Sequence, residues 1–532
     1  MPPWPARQVL VGLLASTDSN CLRKPLQDPN DLPVYALRLY PIGAFAVCAF
    51  LVMVIHDLDS KSEVSMSRAP YNIAYTWAIS AVAAMGGLLF GYDWVVIGGA
   101  KPFYEKFFHL TVAWQQGWAM SCALAGCLAG ALISGKLSDR FGRKWLLIVA
   151  ALLFGVSSLW TALAATFSHF VAGRISGGVA IGLASSLSPM YIAEVSPPQV
   201  RGKLVSLNQL TIVSGILLAQ VVNWAIARPV PAGATAVQIL YSWNGQFGWR
   251  WMFGATAIPA ALFFVCMFAV PESPRWLARK QREQEARRIL ARVGGEAYSA
   301  KALAEIEVSL PGQEAGGNPN GKTEFAALLE PRTFKILLLA VVLAVFQQWC
   351  GINVIFNYAE EVFSAAGYNI SGILFDIVVT GVVNLVFTVV AIVTVDRAGR
   401  RLLMLSGSAG LAVTYIVLGM GYHRGSHGLY MLLLVVAAIA CYSMSLAPVT
   451  WVVIAEIFPN RIRGIGMSLA VSSLWIASFV LTYTFPLFNH SFGPAVTFWI
   501  YSGICILGFI FIQFRLPETK GKTLEEIEHG LT

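Results

Sequence analysis

The same short text is written twice in this chain, once in each half. Glu194-Val-Ser-Pro-Pro-Gln-Val-Arg201-Gly202 is answered by Glu456-Ile-Phe-Pro-Asn-Arg-Ile-Arg463-Gly464. Asp139-Arg-Phe-Gly-Arg143-Lys144 is answered by Asp396-Arg-Ala-Gly-Arg400-Arg401, and Pro271-Glu-Ser by Pro517-Glu-Thr. Three pairs in one order describe two related halves. The text between them is mostly apolar, so each half has to be built from hydrophobic segments.

Of the 532 residues, 57% are hydrophobic and only 12% charged, and the mean hydropathy is +0.65. A soluble domain carries about 25% charged residues. Apolar stretches of about 20 residues recur, each long enough to cross the hydrocarbon of a bilayer. The composition is that of an all-α polytopic membrane protein. Duplicated halves in such a chain are the signature of a secondary transporter. The net charge of +9 does not indicate nucleic acid, because the Lys and Arg residues cluster in a few short loops, as cytoplasmic loops do. Cys122, Cys127, Cys266, Cys350, Cys441 and Cys505 lie inside apolar spans without metal spacing, and read as small packing residues. The run Gly173, Gly177, Gly178, Gly182 has the small-xxx-small spacing of closely packed helices. No Walker motif is present, so transport driven by ATP has no support.

Twelve spans are predicted, near 72–97, 114–134, 145–166, 170–193, 204–226 and 249–270, then 335–357, 371–395, 402–421, 429–455, 465–488 and 493–514. They divide the chain into an extension (1–67), a first six-helix bundle (68–270), a polar linker with short helices (271–333), a second bundle (334–516) and a tail (517–532). In the extension the apolar run from Pro41 to Ile55 is short for a span, and the regular text begins at Met66. Two readings stand there: a start of translation at or near Met66, or an extra helix that would make thirteen spans. Lys136, Arg140, Arg143 and Lys144, the linker, and Arg397, Arg400 and Arg401 all fall on one side if twelve spans are right. That side is expected to be the cytoplasm, with both ends of the core there.

Five further stretches share a source: Gly135-Lys-Leu-Ser-Asp-Arg-Phe-Gly-Arg-Lys144, Pro189-Met-Tyr-Ile-Ala-Glu194, Pro271-Glu-Ser-Pro-Arg-Trp276, Gln347-Gln-Trp-Cys-Gly-Ile-Asn353 and Pro517-Glu-Thr-Lys-Gly-Lys522. With these, residues 70–530 resemble the sugar porter family of the major facilitator superfamily. Within it, Arg201-Gly-Lys-Leu-Val-Ser-Leu-Asn-Gln209 is similar to the bacterial pentose–proton symporters. The resemblance implies two pseudo-symmetric six-helix bundles that rock about a central sugar site.

Asp93 is the sharpest single residue, because an ionised group inside the membrane costs about 2.5–3.5 kcal/mol on insertion scales and is usually functional. Arg174 in the fourth span is its expected partner, and the resemblance implies that the two form a proton-coupling pair. A structural reading keeps Asp93 only as a brace for Arg174. A neutral polyol needs groups that both donate and accept, as Gln and Asn do, and an aromatic face for its C–H surface. The resemblance implies that Gln209, Gln347, Gln348, Asn353, Trp451 and Trp475 supply these. Gln347 and Gln348 would not align well with Asn353 on an unbroken helix, and Gly351 between them is expected to loosen it. Leu474 stands where the family usually has Gln or Asn, and Trp94 is bulkier than the usual residue, which leaves the particular sugar open.

Asp139, Arg143, Glu194 and Arg201 are expected to face Asp396, Arg400, Glu456 and Arg463 across the inner ends of the halves. Ion pairs there would favour an outward-open state and break on rocking. Basic-loop topology accounts for the Lys and Arg of this set but not for the repeated acids. The reading that results is a monomeric transporter in the cell membrane, with a sugar and a proton as substrates. No organic cofactor, metal or nucleic acid is expected. A facilitative uniporter and a transporter-like sugar sensor are the alternatives.

Overall fold

The computed structural model describes residues 71–231, 233–309, 330–365, 370–458 and 463–518. The extension 1–67, the Gly/Asn/Pro stretch of the linker and most of the tail lie outside these residues, as do the side chains of Asp396 and Arg463.

The first half contains α1 (Ile73–Phe107), α2 (Ala113–Phe141), α3 (Arg143–Ala162), α4 (Phe167–Val195), α5 (Arg201–Ile226) and α6 (Asn244–Ala269). The linker forms α7 (Pro274–Arg279) and α8 (Glu283–Ser309). The second half contains α9 (Pro331–Trp349), α10 (Ile352–Asn357), α11 (Ala359–Ala365), α12 (Ile370–Ala398), α13 (Arg400–His423), α14 (Leu429–Met444), α15 (Leu446–Ile457) and α16 (Arg463–Arg515).

Eleven helical stretches among the described residues are long and apolar enough to cross a membrane. The last, Ile465–Arg515, has 51 residues, about twice what one crossing needs at 1.5 Å per residue. It is broken at Gly493, whose φ is 78°, a left-handed conformation that glycine adopts without strain. The two arms make twelve crossings, six in each half. The seventh crossing is α9 with α10, and the tenth is α14 with α15.

Two boundaries differ from the sequence reading in a way that matters. Helix α1 does not stop at 97 but continues to Phe107, carrying Lys101 and Glu105 as buried residues. Charged side chains lie beyond the apolar window there, yet Lys101 pairs with Glu105 on the same helix and with Glu360 and Glu361 in the other half of the chain. The sixth crossing begins at Asn244 in a π-helical turn, ahead of the expected 249.

Packing inside the first half runs through glycines. A Cβ on Gly178 would meet the Ala123 carbonyl, one on Gly126 the Ile175 carbonyl, and one on Gly182 the Cys127 carbonyl. Helices α2 and α4 therefore touch backbone to backbone, as the small-residue spacing implies. The outward faces carry Leu163, Val265, Leu507 and Phe514, each at least 66% exposed. In water that surface would be costly, whereas hydrocarbon accepts it. The linker braces one end of the bundle: Asn72 N–H donates to the Val293 carbonyl at 2.7 Å, and the Tyr71 and Tyr298 rings meet at 5.1 Å.

Candidate substrate site and coupling pair

Asp93 and Arg174 are brought together by α1 and α4. Asp93 is 4% exposed and Arg174 is 3% exposed. Arg174 Nη1 donates to Asp93 Oδ1 at 2.8 Å, and Nη2 donates to the Asp93 main-chain oxygen at 3.2 Å. The guanidinium also lies over the Phe253 ring, 5.4 Å from its centre. One arginine thus grips both the carboxylate and the backbone of one residue. Gly177, one turn along α4, leaves room: a Cβ there would stand 3.1 Å from Ser157 Oγ and 3.7 Å from Asp93 Oδ2. A buried ion pair balances a large desolvation cost against a comparable attraction.

The amides of the seventh crossing form a chain. Asn353 Nδ2 donates to Gln348 Oε1, Gln348 Nε2 to Gln347 Oε1 at 3.0 Å, and Gln347 Nε2 to the Ala447 carbonyl at 3.4 Å. The break that permits this is at Gly351, where φ is 88°. A side chain there would also run into the Tyr501 ring, 2.7 Å from a Cβ. Helix α10 starts afresh after the break, which lets Asn353 reach back to Gln348. The three amides are buried and hold each other's polar atoms in a form that sugar hydroxyls could replace.

Aromatic side chains from both halves meet nearby. Trp475 of α16 lies 6.0 Å from Trp94 and 5.8 Å from Phe90 of α1, ring centre to ring centre. Trp475 is buried, and so is Leu474 beside it. Gln209 on α5 and Trp451 on α15 are half-buried. A cavity of about 10 Å³, room for about one water, is lined by Trp94, Ile97, Cys127, Arg174 and Asn357 among others. Asn357 and Phe90 were missed from sequence. Phe90 shares a face of α1 with Trp94, a spacing that was visible. Asn357 carried no signal until α10 placed it in the lining of the same cavity as Arg174.

The repeated charges assemble twice in the same way. In the first half, Glu272 accepts from the Arg143 N–H at 3.0 Å and the Lys144 N–H at 3.1 Å, at the start of α3. In the second, Glu518 accepts from Arg400 N–H at 3.0 Å and Arg401 N–H at 3.1 Å, at the start of α13. Gly142 and Gly399 precede them with φ of 94° and 90°. A carboxylate at a helix N-terminus satisfies orphan N–H groups and the helix dipole. Burial pushes the Glu272 carboxyl up, against the pull of these N–H bonds. Arg143 pairs with Glu194 at 3.1 Å and with Asp139 at 3.6 Å. Arg400 pairs with Glu456 at 3.1 Å. Arg201 begins α5, half-buried. Among the described residues, each of these pairs runs within one half. The capping roles of Glu272 and Glu518 were not read from sequence, although the repeat of Pro-Glu-Ser/Thr held the signal.

Comparison with known proteins fits this architecture. The sequence profile of the family "Sugar (and other) transporter" matches residues 79–531. The chain is 39% identical over 459 residues to the arabinose-proton symporter of Bacillus subtilis (strain 168), covering 86% of this chain and 95% of that protein. It is 39% identical over 490 residues to the D-xylose-proton symporter of Escherichia coli (strain K12), covering 86% and 96%. The E. coli xylose transporter, in a partially occluded inward-open conformation, matches with a TM-score of 0.73 at 36% identity, over 85% of this chain and 100% of that one. A proton:xylose symporter of the major facilitator superfamily, bound to 6-bromo-6-deoxy-D-glucose, matches with a TM-score of 0.72. This multi-pass membrane protein, with its twelve crossings in two related halves, belongs to the sugar transporter family, whose members are transporters and not enzymes.

Proposed function

We propose that the chain imports a monosaccharide, a pentose or a hexose, together with a proton by alternating access. The observation that carries this is the buried Asp93–Arg174 pair, at 2.8 Å, on the half that faces the amide chain and Trp475. Symporters for arabinose, xylose and galactose are among the relatives. Asp93 is the proton site and Arg174 its buried ion-pair partner. Gln209, Gln347, Gln348, Asn353, Trp451 and Trp475 bind the sugar. Asp139, Arg143, Glu194, Arg201, Asp396, Arg400, Glu456 and Arg463 brace and release the cytoplasmic ends. The functional units are 68–270, 271–333 and 334–516, with the linker and both ends of the core on the cytoplasmic side of the cell membrane. The protein works as a monomer in the bilayer.

One proton moving through 100 mV releases about 2.3 kcal/mol, enough for roughly 50-fold accumulation at about 1.4 kcal/mol per tenfold. The test is external pH in a lightly buffered suspension of expressing cells, on adding a panel of pentoses, hexoses and polyols. Alkalinisation with one sugar is the expected result. Entry only to equilibrium without a pH change would make the protein a uniporter. Asp93→Asn should abolish accumulation and leave sugar exchange measurable; full accumulation by that variant would remove Asp93 from the coupling role.

A further inference from the structure

A second cluster of charges lies at the end of the bundle opposite the linker. Its centre is Lys101 on α1, 2% exposed. Its Nζ is 3.1 Å from Glu105 Oε1 and 3.5 Å from Glu360 Oε2, and is in contact with Glu361 Oε1. Lys101 and Glu105 belong to the first half, whereas Glu360 and Glu361 belong to α11 in the second. Three carboxylates thus lie within ion-pair distance of one ammonium. Around it the two halves are in close contact. A Cβ on Gly98 would come within 2.8 Å of the Phe356 carbonyl of α10. Lys101 Nζ lies 5.7 Å from the centre of the Tyr358 ring, and the Tyr358 hydroxyl donates to the Thr482 carbonyl of α16 at 2.6 Å.

The charge does not balance. One ammonium faces three carboxylates, a net of two negative charges if all are ionised, with Glu105 at 6% exposed and Glu361 at 22%. Like charges this close and this dry cannot all be held ionised without large cost. Burial, with Glu360 and Glu105 adding to it, raises the Glu361 carboxyl despite the opposing pull of Lys101. The titratable groups facing Glu361 are Lys101, Glu105 and Glu360, with Tyr104 and Tyr358 bordering them. Asp376, on the helix packed behind α11, forms no ion pair among the described residues.

We propose that Lys101, Glu105, Glu360 and Glu361 form a charge latch that holds the two halves together at this end, and that closing it takes up one proton at the carboxylates. The proton comes from the water at that face, binds one carboxylate oxygen, and returns to water when the latch parts. The inference rests on the transport reading for the meaning of opening, but the latch can be tested without sugar or a membrane potential. A carboxyl raised in the closed form favours closure at low pH. That preference is lost as pH rises from the ordinary carboxylate range through the raised value, about tenfold in the closed-to-open ratio per pH unit.

The experiment is a distance measurement across the latch by pulsed electron spin resonance, on purified full-length protein with spin labels on Thr111→Cys and Ser364→Cys. Both positions are exposed. It is made in the Asp93→Asn background so that the coupling pair cannot supply the pH response. The closed-to-open ratio should fall by about tenfold per pH unit over that window. Glu361→Gln or Glu105→Gln should flatten the response and leave the latch closed at high pH. Lys101→Met should open it at every pH; should that variant fail to fold, the two Gln variants decide. A closed population indifferent to pH, or a full slope in every Gln variant, would overturn the proposal. Sugar counterflow on the same samples tests the transport reading separately, so a transporting protein with an indifferent latch would sink the latch alone.

Discussion

The two ends of this molecule use charge differently. At the linker end, Arg143–Glu194 and Arg400–Glu456 pair within their own halves, and Glu272 and Glu518 cap helices of their own halves. At the opposite end Lys101 reaches across to Glu360 and Glu361. Within one half, the ion pairs fix loop geometry and carry no information about how the halves are set. Across the halves, they hold one relative position and have to break for another. Among the described residues, the ion pairs that join the halves are at the end opposite the linker. The repeated Glu and Arg residues are expected to favour an outward-open state by pairing across the halves; the described pairs lie within each half. The same residues can serve both states, within a half in one and between halves in the other.

Removing the centre of the cross-half cluster should break this contrast most strongly. Lys101→Met leaves one buried and two partly buried acids around an apolar group, and the loss is up to about 3–5 kcal/mol, read as a fall in thermal midpoint in detergent. An unchanged midpoint would mean that the cluster does not hold the halves. The pairs at the linker end come next. Glu194→Gln and Glu456→Gln each remove a charged partner at a cost of about 1.5–3 kcal/mol. Neither should move the Thr111–Ser364 distance; a shift in that distance would show that the linker-end pairs also set the conformation. The smallest effects belong to the caps. Glu272→Ala and Glu518→Ala should each cost about 0.5–2 kcal/mol, and by similar amounts, since the two sites have the same geometry. A large inequality in urea or thermal unfolding would break the equivalence of the halves.

Much of this was legible before any coordinates. The three repeated motifs announced two halves, and their residues do build one local structure twice. Asp93 stood out because a lone acid in an apolar segment needs a partner, and Arg174 is that partner in the structure. Gly351 between the amides signalled a broken helix, and the break at φ 88° is what brings Asn353 to Gln348. The legibility ended at the interface between halves. Lys101 and Glu105 fall beyond the expected end of the first span at 97, and nothing in their neighbourhood says that Glu360 and Glu361 will arrive. Phe90 and Asn357 gained meaning only when α16 and α10 were set against α1.

The sequence by itself determined the apolar spans, the duplication and the residues whose chemistry a sugar and a proton require. Those are local properties: hydropathy, spacing and side-chain type are carried by neighbours in the chain. Tertiary structure decided which charges pair within a half and which pair across, and so which end is closed. Ion pairing depends on distance in space, and the distance from Lys101 to Glu361 is set by the packing of two halves that the chain keeps far apart.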